Sequence, residues 1–285
     1  MKTSLKVFFC LSLILSLTAC GSKKHHKEHH HKDTHKHKNE EVITSQEKEK
    51  NEALIAESEE TVIDEDIRIT YISHASAVIH WGETIVYSDP VGDLSAYKDQ
   101  PNPDIVFITH THADHMSEET LGGLLTPETV LIVPQSVGDQ LEIDLPGNRV
   151  VLANGESTEI DDFTIDAIAM YNLPISEDSF HPQGAGNGYV FEKAGKRVYF
   201  SGDTSGIPEV KALSDIDIAF VCMNLPYTMS VEEAAETVLE FKPAKVLPYH
   251  YRGKDGLSDV SKFKQLINQR GSGIEVIQLN WYPEK

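Results

Sequence analysis

The residues Ile67-Arg68-Ile69-Thr70-Tyr71-Ile72 alternate between apolar and polar side chains, the period of a strand with one buried face. Residues 76–81 and 84–87 continue in strand-like fashion, and Trp81-Gly82-Glu83 marks the turn between them, so the domain should open on an antiparallel sheet. The run Ile105-Val106-Phe107-Ile108 is apolar throughout, as in a strand buried on both faces. Further strands are predicted at 130–133, 149–152, 163–171, 188–192, 197–201, 218–223, 245–247 and 274–279. A helix should start at Ser230-Val231-Glu232-Glu233, a capping-box pattern, and carry Val231, Ala234, Ala235, Val238 and Leu239 on one face. Val260, Phe263, Leu266 and Ile267 mark a second such stripe. The early half is rich in hairpins and the later half alternates strand with helix, which suggests an α/β domain of sheets covered by helices.

The first 66 residues show no such pattern. Lys2 and Lys6 precede an apolar core at 7–17 that is short for a bilayer span and has the layout of a secretory signal. It ends in Leu17-Thr18-Ala19-Cys20, which resembles the lipobox of bacterial lipoproteins. That resemblance implies a signal peptide at 1–19, a lipid on Cys20 and a cell-membrane protein held on the extracytoplasmic side. Residues 20–66 are polar and densely charged, as expected of a disordered tether, and the folded domain is expected to span 67–285. His25, His26, His29, His30, His31, His35 and His37, half of the chain's histidines, crowd the start of that tether. Neutral imidazoles on a flexible chain can capture a divalent metal, or the tract can be a solvated spacer.

Composition narrows the partners. The net charge is −20, and from Ile67 onward 15 basic side chains face 32 acidic ones, which argues against nucleic acid, whose phosphates are bound through surplus Lys and Arg. Cys10 leaves with the signal and Cys20 would carry lipid, so Cys222 is left without a disulfide partner, and its apolar run predicts a buried, inert thiol.

The chemistry lies directly after the run at 105–108, in His110-Thr111-His112-Ala113-Asp114-His115. Extended chain would point His110 and His112 the same way, toward one metal, and the following turn would send Asp114 and His115 toward another. Imidazole and carboxylate without thiolate favour an open zinc site over a closed structural one. Further ligand types at predicted strand or loop ends are His181, Asp203 and His250.

Taken in order, Asp89, the hexapeptide, His181, Asp203 and His250 resemble the five motifs of the metallo-β-lactamase superfamily. The resemblance implies an αββα sandwich of two mixed sheets flanked by helices, with the site where the sheets meet. It implies that His110, His112 and His181 hold one ion, that Asp114, His115 and His250 hold the other, that Asp203 bridges them, and that Asp89 orients the histidine loop. The cofactors would be two divalent ions, zinc ahead of Mn2+ or Fe2+, and an activated bridging water would attack a lactone, ester or phosphodiester, with Asp203 and Asp114 as catalytic carboxylates. His74-Ala75-Ser76, Gly186-Asn187-Gly188-Tyr189, Met223-Asn224-Leu225-Pro226-Tyr227 and Pro248-Tyr249-His250-Tyr251 are similar to the branch holding L-ascorbate-6-phosphate lactonase and N-acyl-phosphatidylethanolamine phospholipase D. A small-molecule or lipid ester is the expected substrate. His74, Tyr227, Tyr251 and Arg252 are candidate substrate contacts, with a structural histidine, core packing or a surface ion pair as the alternatives. A different class of reading is a zinc-scavenging lipoprotein that works through its tether.

Overall fold

The alternating segments pair into two seven-stranded sheets built on one plan. The structure, a computed structural model, describes residues 60–283 except residue 143. The first sheet runs in chain order through β1 (Thr61–Asp64), β2 (Ile67–Ser73), β3 (Ser76–Trp81), β4 (Thr84–Ser88), β5 (Ile105–Phe107), β6 (Val130–Val133) and β7 (Asn148–Val151). Its first four strands are antiparallel, and β4 to β7 are parallel. The second sheet contains β8 (Ser157–Ile160), β9 (Phe163–Met170), β10 (Gly186–Lys193), β11 (Lys196–Phe200), β12 (Ile218–Cys222) and β13 (Lys245–Tyr249). A separate hairpin, β14 (Arg252–Gly253) and β15 (Gly256–Leu257), precedes the last strand, β16 (Glu275–Val276), which joins the second sheet beside β13. Here too β8 to β11 are antiparallel, and β11, β12, β13 and β16 are parallel.

Period-two alternation divides the core. Ile105 and Phe107 face the space between the sheets, while Val106 belongs to an outer cluster with Val78, Leu131, Leu121 and Val137. That outer cluster is covered by α1 (Glu118–Leu124) and α2 (Gln135–Gln140). Between the sheets, Phe107 packs 5.1 Å from Phe191 and 4.9 Å from Phe200, ring centre to ring centre. Replacing Phe107 with Ala is expected to cost about 3–5 kcal/mol, measured as a fall in the urea midpoint at constant slope. A short α3 (Pro208–Lys211) leads into β12, and α4 (Val231–Phe241) and α5 (Val260–Gln269) pack beside each other. The α4 stripe of Val231, Ala234, Ala235 and Val238 is buried as expected. Ser230 caps α4 by accepting from Glu233 N–H, but the Glu233 carboxylate accepts from Gly206 N–H instead of returning to the cap.

The observed domain starts earlier than residue 67. β1 lies inside the expected tether, and its sequence hid it because Ile63 is its one buried hydrophobic; Asp64 pairs with Lys196 and Lys245 of the second sheet. The last strand is shorter than 274–279, because the chain leaves the sheet after Val276 to bring Trp281 and Tyr282 back against Tyr251. The signal, Cys20 and the histidine tract lie outside the described residues. No helix among the described residues is long and apolar enough to cross a membrane.

Candidate metal centre

Parallel strands present their carboxyl ends to one edge, where α/β sheets collect their functional loops. Asp89 follows β4, the histidine loop follows β5, Asp203 follows β11, Asn224 follows β12 and His250 follows β13.

Asp89 is the hub of this edge. Its Oδ1 accepts from Thr109 N–H at 2.7 Å, and its Oδ2 accepts from the Thr109 hydroxyl at 2.7 Å and from His115 Nδ1–H at 2.7 Å. Because the Thr109 hydroxyl spends its proton on Asp89, the 3.0 Å contact with His110 Nδ1 makes His110 the donor. Both rings therefore turn Nε2 away from the hub. Asn172 Oδ1 does the same for His181, accepting from its backbone N–H at 2.8 Å and lying 3.1 Å from Nδ1. The Asn224 amide lies 3.4 Å from His250 Nδ1. Gly186 of β10 closes against Met170, Thr109 and His110, leaving no room for a Cβ, so the second sheet touches the histidine loop here.

The freed nitrogens converge on Asp203. Its Oδ2 lies 3.5 Å from His181 Nε2, while its Oδ1 lies 3.6 Å from His115 Nε2 and 3.5 Å from His250 Nε2. His250 Nε2 is also 3.3 Å from Asp114 Oδ2, and His110 Nε2 is 3.0 Å from His112 Nδ1. The donor atoms of His110, His112 and His181 lie within 4.8 Å of one another, as do those of Asp114, His115 and His250, and those of His110, His115 and Asp203. Nε2 of His115, His181 and His250 and Oδ1 of Asp203 are buried without a hydrogen-bond partner. Four buried polar atoms left bare at one point are costly unless a cation satisfies them, so the residues present fit a divalent metal.

All seven expected ligand positions are thus brought together, though His110 and His112 meet for another reason than strand alternation. The strand ends at Phe107, and a turn closed by His115 N–H and Met116 N–H on the His112 carbonyl folds the pair inward. His110 is buried, while His112 and Asp114 are exposed.

Burial pushes the Asp203 carboxyl up, but the facing His250, His115 and His181 outweigh it and hold it below the usual carboxylate range. Burial likewise opposes the Asp114 carboxylate, and His250 and His115 hold it ionised. Burial lowers His115, yet Asp203 and Asp89 lift it to about 9. Burial holds His181 at about 4 and half-buried His74 at about 4, against an ordinary 6.5. As pH falls, the unfolded metal-free chain therefore takes up protons before the folded one at His74 and His181, and the folded chain does so first at His115. Stability from His74 and His181 is complete above 6.5 and is lost as pH falls through about 4, whereas that from His115 is complete below 6.5 and is lost as pH rises through about 9. His74→Gln is expected to flatten the acid limb of Tm against pH in chelator-treated protein; an unchanged limb would refute the assignment to His74.

A cavity of about 300 Å³ opens over the cluster, lined also by His74, Phe180, Asn224, Tyr227 and Arg252. His74 is both of its expected alternatives at once: it lines the cavity, and its Nδ1 lies 3.0 Å from the Tyr282 hydroxyl. Tyr251 does not line it. Its ring is buried and its hydroxyl donates to the Leu279 carbonyl and accepts from Trp281 N–H, so it serves packing. Cys222 is fully buried, and burial pushes its thiol up to about 12. Thr109, Asn172 and Tyr282 went unseen. Thr109 stands beside His110 and its adjacency was a usable signal, but Asn172 and Tyr282 are placed by tertiary contacts alone.

Residues 68–250 match the family described as the beta-lactamase superfamily domain. The chain belongs to the metallo-β-lactamase superfamily. Within it, a UPF0173 metal-dependent hydrolase of Thermococcus onnurineus is 27% identical over 73% of this chain and 95% of its own length. A candidate metal-dependent hydrolase from Parabacteroides distasonis superposes with a TM-score of 0.66 at 35% identity, covering 74% of this chain and 92% of that one. A metallo hydrolase of Ignicoccus hospitalis shares the fold at 22% identity, with a TM-score of 0.64 over 75% of this chain and 94% of that one. These similarities make the chain a metal-dependent hydrolase of this superfamily.

Proposed function

We propose that this hydrolase is a dinuclear zinc enzyme cleaving a lactone, ester or phosphodiester. The observation that carries the reading is the Asp203 carboxylate, with Oδ2 toward His181 and Oδ1 toward His115 and His250, the last two also grouped with Asp114. His110, His112 and His181 would hold one ion and Asp114, His115 and His250 the other, with Asp203 touching both. The all-imidazole and carboxylate donor set, without thiolate, suits zinc. Zinc when bound would polarise the carbonyl or phosphoryl oxygen of the substrate and lower the pKa of a coordinated water toward neutrality.

The chain's own residues supply the rest. Asp89 and Thr109 hold His115 and His110 in the tautomers that present Nε2. Asp203 stays ionised beside three imidazoles and can accept a hydrogen bond from the attacking water, fixing its direction. Asp114 stands exposed at the mouth, where its ionised carboxylate faces His250. Metal analysis of purified protein, then an ester, lactone and phosphodiester panel, tests the reading. About two zinc equivalents and turnover lost in His112→Ala are expected. A single ion, or equal turnover by the variant, would overturn it.

The anchor is proposed on sequence grounds: labelled palmitate should enter the wild-type chain and not Cys20→Ala. Deleting residues 23–38 should leave turnover at saturating zinc intact and reduce metal capacity. A chain without turnover that loses most of its metal capacity on the deletion would fit the scavenging reading instead.

A further inference from the structure

Arg252 is the one lysine or arginine among the residues lining the metal cavity. Lys193, Lys196, Arg197, Lys211, Lys245 and Lys262 are all in ion pairs. Exposed Arg252, like Arg149, Lys242, Lys254, Lys264 and Arg270, has no carboxylate within 4.0 Å among the described residues, and what sets it apart is its place at the cavity. Its guanidinium instead lies 4.1 Å from the centre of the Tyr282 ring, a contact that holds the side chain in place without neutralising it. Tyr282 is in turn held by His74, whose ring packs 5.3 Å from that of His250. A fixed, unpaired cation therefore stands at the mouth of the metal cavity.

On the Phe180 side the surface is mixed, with Leu173, Pro174, Phe180 and Pro226 standing among polar residues that include Asp178. Phe180 lines the metal cavity and also a neighbouring one of about 320 Å³, bounded by Leu173, Pro174 and Pro226. Leu173, Ile175, Phe180 and Leu225, on the two loops that form this side, are exposed, as is Leu257, which pairs across the hairpin with Arg252. Five of the eight exposed large hydrophobics among the described residues thus lie around this mouth, so they form a patch and not a random scatter.

Resting on the hydrolase reading, we propose that the substrate is an anionic amphiphile. Arg252 receives a phosphate or carboxylate group near the scissile bond, and the apolar positions Phe180, Leu173, Pro174 and Pro226 receive a hydrocarbon chain. Arg252 is then a specificity-determining residue, and Tyr282 is the residue that positions it.

Binding to the zinc-loaded full-length protein tests this independently of turnover. Decyl phosphate, decanoate, ethyl phosphate and decanol are titrated calorimetrically, below micelle-forming concentrations. At least one ten-carbon anion should bind about tenfold or more tightly than both ethyl phosphate and decanol. The tighter of decyl phosphate and decanoate identifies the anion. Arg252→Gln should weaken that anion about tenfold or more and Arg252→Lys less, because lysine keeps the charge and loses the planar stack. Phe180→Ala should shrink the gain from chain length, and Arg270→Gln, outside the cavity, should bind as wild type does. Equal binding by wild type and Arg252→Gln, or no gain from the chain, would overturn the proposal. A protein that binds in this pattern but hydrolyses none of the ester panel would sink the hydrolase reading instead.

Discussion

Asp203→Asn is expected to lower kcat/KM about a thousandfold, roughly 4 kcal/mol of barrier, and to lower the metal content of the purified protein. The carboxylate uses both oxygens, one toward each group of histidines. An amide keeps one oxygen and replaces the other with an N–H donor that cannot ligate a cation. It also removes the buried negative charge that the three facing imidazoles hold ionised. The metal-free Tm should fall as well, because the attraction of the facing imidazoles outweighs the burial that opposes the charge and His115 loses its foremost partner. Metal analysis, kcat/KM on a substrate from the panel and a thermal scan of chelated protein check this. Full metal content and turnover in the variant would remove Asp203 from the site.

Asp89→Asn is expected to weaken zinc binding by about 10–100-fold while leaving every proposed ligand in the chain. It should also cost about 3 kcal/mol of stability. Three donors now converge on the carboxylate: Thr109 N–H, the Thr109 hydroxyl and His115 Nδ1–H. Asparagine would set its own N–H2 against one of them, leaving a buried donor unpaired and His115 free to change tautomer. His115 should also titrate lower, because Asp89 is the second carboxylate, after Asp203, that raises it. Competition with a zinc chelator, the urea midpoint and the His115 ring shift across pH read the three effects. A variant that matches wild type in zinc affinity and midpoint would show that Asp89 does not orient the loop.

Most of the sheet framework was legible along the chain, because a strand with one buried face writes its period into consecutive residues. β2 shows it at its start, while β3, β4 and β5 are legible as apolar runs buried on both sides. β1 escaped because a short edge strand with one buried residue leaves almost no pattern. The tail after β16 stops being strand because, once Ile277 N–H has bonded to the Val246 carbonyl, the chain turns away and Trp281 N–H bonds to the Tyr251 hydroxyl. Tyr251 takes the core-packing alternative: β13 ends at Tyr249, and the left-handed backbone of His250 turns the next side chain into the packing around Trp281 and Tyr282.

What the sequence determined by itself is the chemistry of the centre. Three imidazoles and a carboxylate within six residues, followed by His181, Asp203 and His250, name a divalent-metal donor set wherever the chain carries them. Tertiary structure alone decided that Asp203 turns one oxygen to each side, that Asp89 and Asn172 select the tautomers, and that Tyr282 reaches His74 across 208 residues to hold Arg252 at the mouth. Ligand identity is a property of each residue and is carried by the chain. Orientation comes from hydrogen bonds and packing between loops far apart in sequence, and it exists only once two sheets bring their carboxyl edges together.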